Sequence, residues 1–190
     1  MKIQIIPPEN QPVAQWSGGQ TRELYIAGGA ADYAARDFTL RLSSATVETD
    51  ESTFTPLPAF HRVLMPLSAP VQLTHDEEQP IALLPFQTDF FDGGAKTISR
   101  GRCQDFNVMW AKDAPFEVAL EALDNFPCLL DGAEEDFYYA YRGDFFLDTR
   151  HENIHLMEGS LLHLERPGIT RIRQGRTDDA QLIHAAVQRK

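Results

Sequence analysis

The chain has 190 residues, a formal net charge of −11, 43% hydrophobic residues and 24% charged residues, a composition that supports a packed core and an ordinary globular fold. With 17 Lys and Arg against 28 Asp and Glu, it lacks the dense basic face that nucleic acids require, and its acidic surface repels anionic membranes. A bound anion therefore needs a local cluster of arginines.

No stretch approaches the roughly 20 apolar residues that span a bilayer, and the apolar part of residues 1–8 is too short for a secretory leader, whose core runs about 7 to 15 residues. Cys103 and Cys128 lie outside any metal-like spacing. They read as free thiols of a cytoplasmic protein, and Arg102 beside Cys103 is a weak signal for a lowered thiol pKa.

In chain order, the first strand signal is residues 2–6. The stretch Trp16-Ser17-Gly18-Gly19-Gln20-Thr21-Arg22-Glu23-Leu24-Tyr25-Ile26 then sets an aromatic residue and a Gly-Gly turn ahead of an extended segment, in which Thr21, Glu23 and Tyr25 share one face. Residues 38–48 are the most informative strand. Phe38, Leu40 and Leu42 point one way and Arg41, Ser43, Ala45 and Val47 the other, so the strand is covered on two sides. Arg41 is then partly buried, and a desolvated guanidinium has to meet a carboxylate or a bound anion.

Further strands are expected at residues 62–67, 71–74, 81–84, 95–99, 106–110 and 116–123. Ala69-Pro70, the acidic turn Asp76-Glu77-Glu78-Gln79-Pro80 and Asp92-Gly93-Gly94 separate several of them. The rhythm continues at 137–141, 144–147, 154–157, 161–165, 169–173 and 182–187. Residues 117–123 and 178–187 are read as strands, with a short helix as the alternative for each. Many short strands punctuated by turns indicate a sandwich, barrel or jelly roll.

Polar groups recur on these strands. Arg62 opens a strand after the proline-braced loop Phe54-Thr55-Pro56-Leu57-Pro58-Ala59-Phe60, and Asp105 and Asn107 alternate with Phe106, Val108 and Trp110. With Glu23 and Arg41 they form a set of two cations, two carboxylates and an amide that can line one cavity. The structural alternative is a pair of register-fixing ion pairs, Arg41 with Glu23 and Arg62 with Asp105.

These segments carry a resemblance. Residues 16–23, Arg36-Asp37-Phe38-Thr39-Leu40-Arg41-Leu42-Ser43-Ser44-Ala45-Thr46-Val47, residues 54–62 and Asp105-Phe106-Asn107-Val108-Met109 resemble the ordered signature of the HutD/Ves family over residues 12–123. The departures are Leu40 where the pattern has tryptophan, Ala59 where it has glycine, and Ser68-Ala69 in place of a glycine-containing turn. The resemblance implies an all-β, cupin-like bicupin of two small β-barrel or jelly-roll halves, residues 1–123 with the pocket and residues 124–190 packed on them. It implies a metabolite pocket lined by Thr21, Glu23, Arg41, Ser43, Arg62, Asp105 and Asn107, with urocanate or formylglutamate as suggested ligands and histidine catabolism as the setting. A sensor or regulator without metal or other cofactor is the expected function. An enzyme using Glu23 or Asp105 as general acid or base is the alternative, and a structural or partner-binding protein is the third reading. A homodimer is compatible with the broad fold group, whose sheets often pair across subunits.

One competing motif remains. His151-Glu152-Asn153-Ile154-His155 matches H-E-x-x-H, which binds zinc when a helix brings both histidines to one face. The surroundings read as strand, so no metal site is expected, and His163 alternates with Leu162 and Leu164. His61 beside Arg62 is a further candidate to assist an anion, and the remaining histidines are isolated.

Overall fold

The computed structural model describes residues 2–190. In chain order its strands are β1 (Lys2–Ile6), β2 (Val13–Trp16), β3 (Gly19–Ala27), β4 (Leu40–Val47), β5 (Glu51–Thr53), β6 (Phe60–Pro66), β7 (Val71–His75), β8 (Ile81–Leu83), β9 (Asp89–Asp92) and β10 (Thr97–Arg100). They continue with β11 (Cys103–Ala111), β12 (Phe116–Leu123), β13 (Cys128–Leu130), β14 (Glu135–Arg142), β15 (Phe145–Asp148), β16 (Asn153–Leu156), β17 (Leu161–Glu165), β18 (Thr170–Gln174) and β19 (Gln181–Arg189). The all-β expectation holds, and β12 and β19 are strands rather than helices. No helix of the described residues is long and apolar enough to cross a membrane.

The chain divides into two compact units, Gln11–Ala114 and a second that joins residues 2–10 to Pro115–Lys190. Residues 2–10 and 115–123, counted with the first half in the sequence reading, pair within the second unit: β1 lies along β17 and β12 along β19. The second unit has a five-stranded sheet, β1-β17-β14-β19-β12, and a four-stranded sheet, β13-β18-β15-β16. Tyr138, Leu162, Leu164 and Leu182 from the larger sheet join Phe145, Leu147, Leu156 and Ile172 from the smaller in one buried cluster. Period-two alternation of leucines and aromatics builds this core.

The Gln11–Ala114 unit repeats the plan with a six-stranded sheet, β2-β3-β4-β11-β6-β9, and a four-stranded sheet, β5-β10-β7-β8. Leu64 of the larger sheet meets Val71, Leu73 and Leu83 of the smaller in a buried apolar cluster that also includes Cys103. The other face of the six-stranded sheet is buried as well: Leu42, Val63, Phe106 and Val108 are 0% exposed. The central strands are therefore covered on both sides, as the sequence of β4 requires.

Two local features shape the wall of this unit. Gly19 has φ +148, and a Cβ there would lie 1.9 Å from the backbone oxygen of Thr46, so only glycine lets β3 approach β4 this closely. Gly19→Ala is expected to destabilise the chain by about 2 kcal/mol or more, read as a lowered denaturation midpoint; an unchanged midpoint would refute the steric account. Further along β3 the pairing with β4 shifts register between Glu23 and Tyr25. Glu23 lies opposite Ser43 and Tyr25 opposite Leu42, so Tyr25 does not share the face of Thr21 and Glu23, and a β-bulge is the reason.

Candidate functional site

Alternation on the central strands puts one polar row inside the Gln11–Ala114 unit. Met109 of β11 stands between Arg41 of β4 and Arg62 of β6, Asn107 lies opposite Ser43, and Asp105 lies opposite Ala45. These side chains line a cavity of about 350 Å³ with Thr21, Trp16, Tyr33, Arg36 and Phe54. Six of the seven expected residues, Thr21, Arg41, Ser43, Arg62, Asp105 and Asn107, are thus on its wall. Glu23 is on the same face of the sheet but outside that lining, and its Oε2 accepts a hydrogen bond from Arg41 Nε at 2.8 Å.

The two buried arginines differ in what they have left to give. Arg41 is committed: besides Glu23, its Nη1 donates to Ser43 Oγ at 3.1 Å, and its guanidinium carbon lies 4.1 Å from the centre of the Tyr33 ring. Arg62 is 6% exposed, and its buried Nε has no hydrogen-bond partner. Its guanidinium rests over the rings of Phe54, at 4.7 Å, and Phe91, at 5.4 Å. Burial pushes the Arg62 pKa down to about 10, opposed by Tyr33 and Asp105 and aided by the repulsion of Arg41. It remains a cation at neutral pH.

Two further groups complete the chemistry. Asn107 Oδ1 is buried and accepts no hydrogen bond. Asp105 is buried, and desolvation pushes its carboxyl up to about 7 against the Ala45 amide and the Arg62 charge, both of which favour the anion. The expected Arg62–Asp105 pair is accordingly an electrostatic neighbourhood, with no ion pair recorded between them among the described residues.

Tyr33 and Arg36 are the residues that sequence reading missed. They sit on the loop between β3 and β4, which is folded rather than loose: Asp32 Oδ1 accepts from the amides of Ala34 and Ala35, and Asp37 Oδ2 accepts from Ala30 N at 2.9 Å. Ala31 and Arg36 have positive φ, 53 and 60, which non-glycine residues adopt mainly in tight turns. The Arg36 guanidinium carbon lies 4.3 Å from the centre of the Tyr33 ring. Trp16 also lines the cavity and covers Gly18, where a Cβ would meet its ring.

Other sequence candidates fall elsewhere. His61 pairs in register with Trp110, on the sheet face away from the cavity. His155 lies on strand β16 and His151 in the preceding bend, so H-E-x-x-H has no helix to align its ligands. His155 Nε2 instead meets Asp144 Oδ2 at 2.6 Å. Glu135, His163 and Glu165 gather on the second unit within 4.8 Å of one another, with His163 bonded to Glu135 at 2.8 Å and Lys2 to Glu165 at 3.2 Å. Cys103 reverses its expectation: burial, and then Asp105, push its thiol up to about 12, while Arg102 turns to Asp50 at 2.8 Å.

Paired sheets in each unit and a polar cavity between the sheets of one describe an all-β protein of cupin-like class. A sequence model of the HutD family matches residues 9–182, and the chain belongs to the HutD family. Among solved structures, a conserved protein of unknown function from Pseudomonas aeruginosa PAO1 superposes with TM-score 0.84 at 21% identity, covering 99% of this chain and 100% of that one. HutD from Pseudomonas fluorescens SBW25, in a formate condition, gives 0.75 at 19% identity over 98% and 100% of the two chains. The bacterial pirin YhhW of Escherichia coli in complex with nickel(II) gives 0.70 at 9% identity, covering 99% of each. A search of curated proteins returned no match.

Proposed function

We propose that the chain is a metal-independent binding protein for a small carboxylate metabolite, serving as a sensor in amino-acid catabolism, with histidine-pathway acids such as urocanate or formylglutamate as the ligand class. The observation that carries this reading is a cavity lined by two buried residues with unused hydrogen-bonding groups, Arg62 with its Nε and Asn107 with its Oδ1. A desolvated cation without a hydrogen-bond partner is costly and is recovered when an anion binds. Asn107 Oδ1 calls for an N–H or O–H on the same ligand. The lining has three guanidiniums, one carboxyl group and no histidine, a donor set suited to an anion and poor for a divalent cation. The HutD name of the P. fluorescens relative supports the histidine-related setting.

Calorimetry on metal-stripped protein with urocanate, formylglutamate, histidine and glutamate tests this. At least one of the acids is expected to bind without metal, and Asn107→Leu is expected to weaken that binding roughly tenfold, the value of one buried hydrogen bond. Binding that appears only after zinc is added would overturn the metal-independent reading. A second reading follows from Asp105, whose carboxyl titrates near neutral pH, the range a general acid or base needs. Turnover of a bound acid that stops in Asp105→Asn while binding persists would make the protein an enzyme.

A further inference from the structure

The one carboxyl group of the cavity wall and its uncommitted guanidinium stand on adjacent strands, Asp105 on β11 and Arg62 on β6. An acid that enters to meet Arg62 must therefore share the cavity with an acid already there. Resting on the anion-binding reading above, we propose that the cavity takes up its carboxylate ligand together with one proton from solvent, and that Asp105 receives that proton.

The charge count around Asp105 leads to this. On the same cavity wall β4 contributes Arg41, which is held by Glu23 of β3 and by Ser43. From β6 comes Arg62 with its free Nε. The loop between β3 and β4 contributes the Tyr33 phenol and, on the same cavity wall, Arg36, whose Nη1 donates to the Tyr33 backbone oxygen at 2.7 Å. Asp105's own strand contributes Cys103, whose thiol burial keeps neutral, and Asn107. Before ligand enters, Asp105 and Arg62 offset one another.

A second carboxylate at Arg62 leaves two anions beside the one buried cation that no carboxylate pairs, Arg36 being exposed and its charge screened by solvent, and the least costly remedy is to protonate one of them. Asp105 is the group already close to neutrality, since burial pushes it up to about 7, whereas an ordinary small acid titrates near 4. No other bond is made or broken: ligand carboxylate, solvent proton and Asp105 carboxylate become ligand carboxylate and Asp105 carboxylic acid. The site then reads acid and pH together, and affinity falls about tenfold per pH unit above pH 7, the linkage slope of one proton taken up on binding.

The test uses wild-type protein and Asp105→Asn with formate and urocanate as probes. Affinity is followed by NMR titration from about pH 6 to pH 8.5, and proton uptake by calorimetry in buffers of different ionisation enthalpy. Wild type is expected to take up close to one proton at the alkaline end, and Asp105→Asn to bind with none and with a flat pH profile. Binding by wild type without proton uptake overturns this inference and leaves the anion site standing. Failure of both probes to bind even at about pH 6 overturns the inference and the anion reading together. Wild-type proton uptake is decisive by itself, so the inference does not depend on how well the variant folds.

Discussion

Arg62→Met is expected to bind small carboxylates on the order of 100-fold more weakly than the parent chain while unfolding at an equal or higher denaturant concentration. The two effects run in opposite directions, and both follow from one feature. The Arg62 guanidinium is desolvated, rests on two phenylalanine rings and leaves its Nε unbonded. Its burial works against folding, as the pKa pushed down to about 10 records. Methionine is unbranched and flexible, fills much of the same volume against Phe54 and Phe91, and has no charge to desolvate. The donor that meets the ligand is lost with the cation. Paired measurements of ligand affinity and denaturant midpoint decide the matter: a variant that unfolds much more readily and still binds would assign Arg62 to structure.

The other large effect lies in the second unit, at a histidine the cavity does not use. Both ring nitrogens of His184 face carboxylates, Nε2 at 2.8 Å from Asp136 Oδ1 and Nδ1 at 3.0 Å from Glu121 Oε1. The ring stacks on Tyr138 with centroids 4.7 Å apart. Asp136 Oδ2 also accepts from Ala133 N at 2.9 Å. Burial by itself would lower the His184 pKa, but the hydrogen bonds to Asp136 and Glu121 outweigh it and hold the ring above its usual 6.5.

The sign then follows. A folded-state pKa above the unfolded value gives stability that is fully present below about pH 6.5 and is lost as pH rises through the folded pKa. The denaturation midpoint of the parent chain is therefore expected to fall toward the alkaline side. Asp136→Ala, which strands a buried imidazolium and the Ala133 amide, is expected to cost about 3 to 5 kcal/mol and to flatten that fall. A parent midpoint constant from about pH 6 to pH 9 would refute the charged cluster.

The strands whose side chains alternate over a buried surface were legible in the sequence. In β4 the two faces are told apart by Leu40 and Leu42 against Arg41 and Ser43, and the polar face proved to be the cavity wall. Equally short strands with a buried residue, such as β8 and β16, were read, whereas the unread strands, β2, β5, β9 and β13, are of three or four residues and have no buried position. They form because a neighbour offers unpaired backbone groups, a property of the partner and not of their own composition. Tyr33 and Arg36 escaped for a related reason. A loop has no period, and only Asp32 and Asp37 at turn-forming positions hinted that it was built. The bulge after Glu23 left no mark that separates it from regular alternation.

Strand β1 carries a consequence for synthesis. Lys2 and its partner Glu165 are 163 residues apart in the chain, so β1 waits, unpaired, until the residues of β17 have been made. The unit of residues 11–114 is continuous and can fold during that wait. The nascent protein thus holds a finished cavity while β1 is still an open strand with apolar Ile3, Ile5 and Ile6, the kind of edge that chaperones shield and that premature termination leaves exposed.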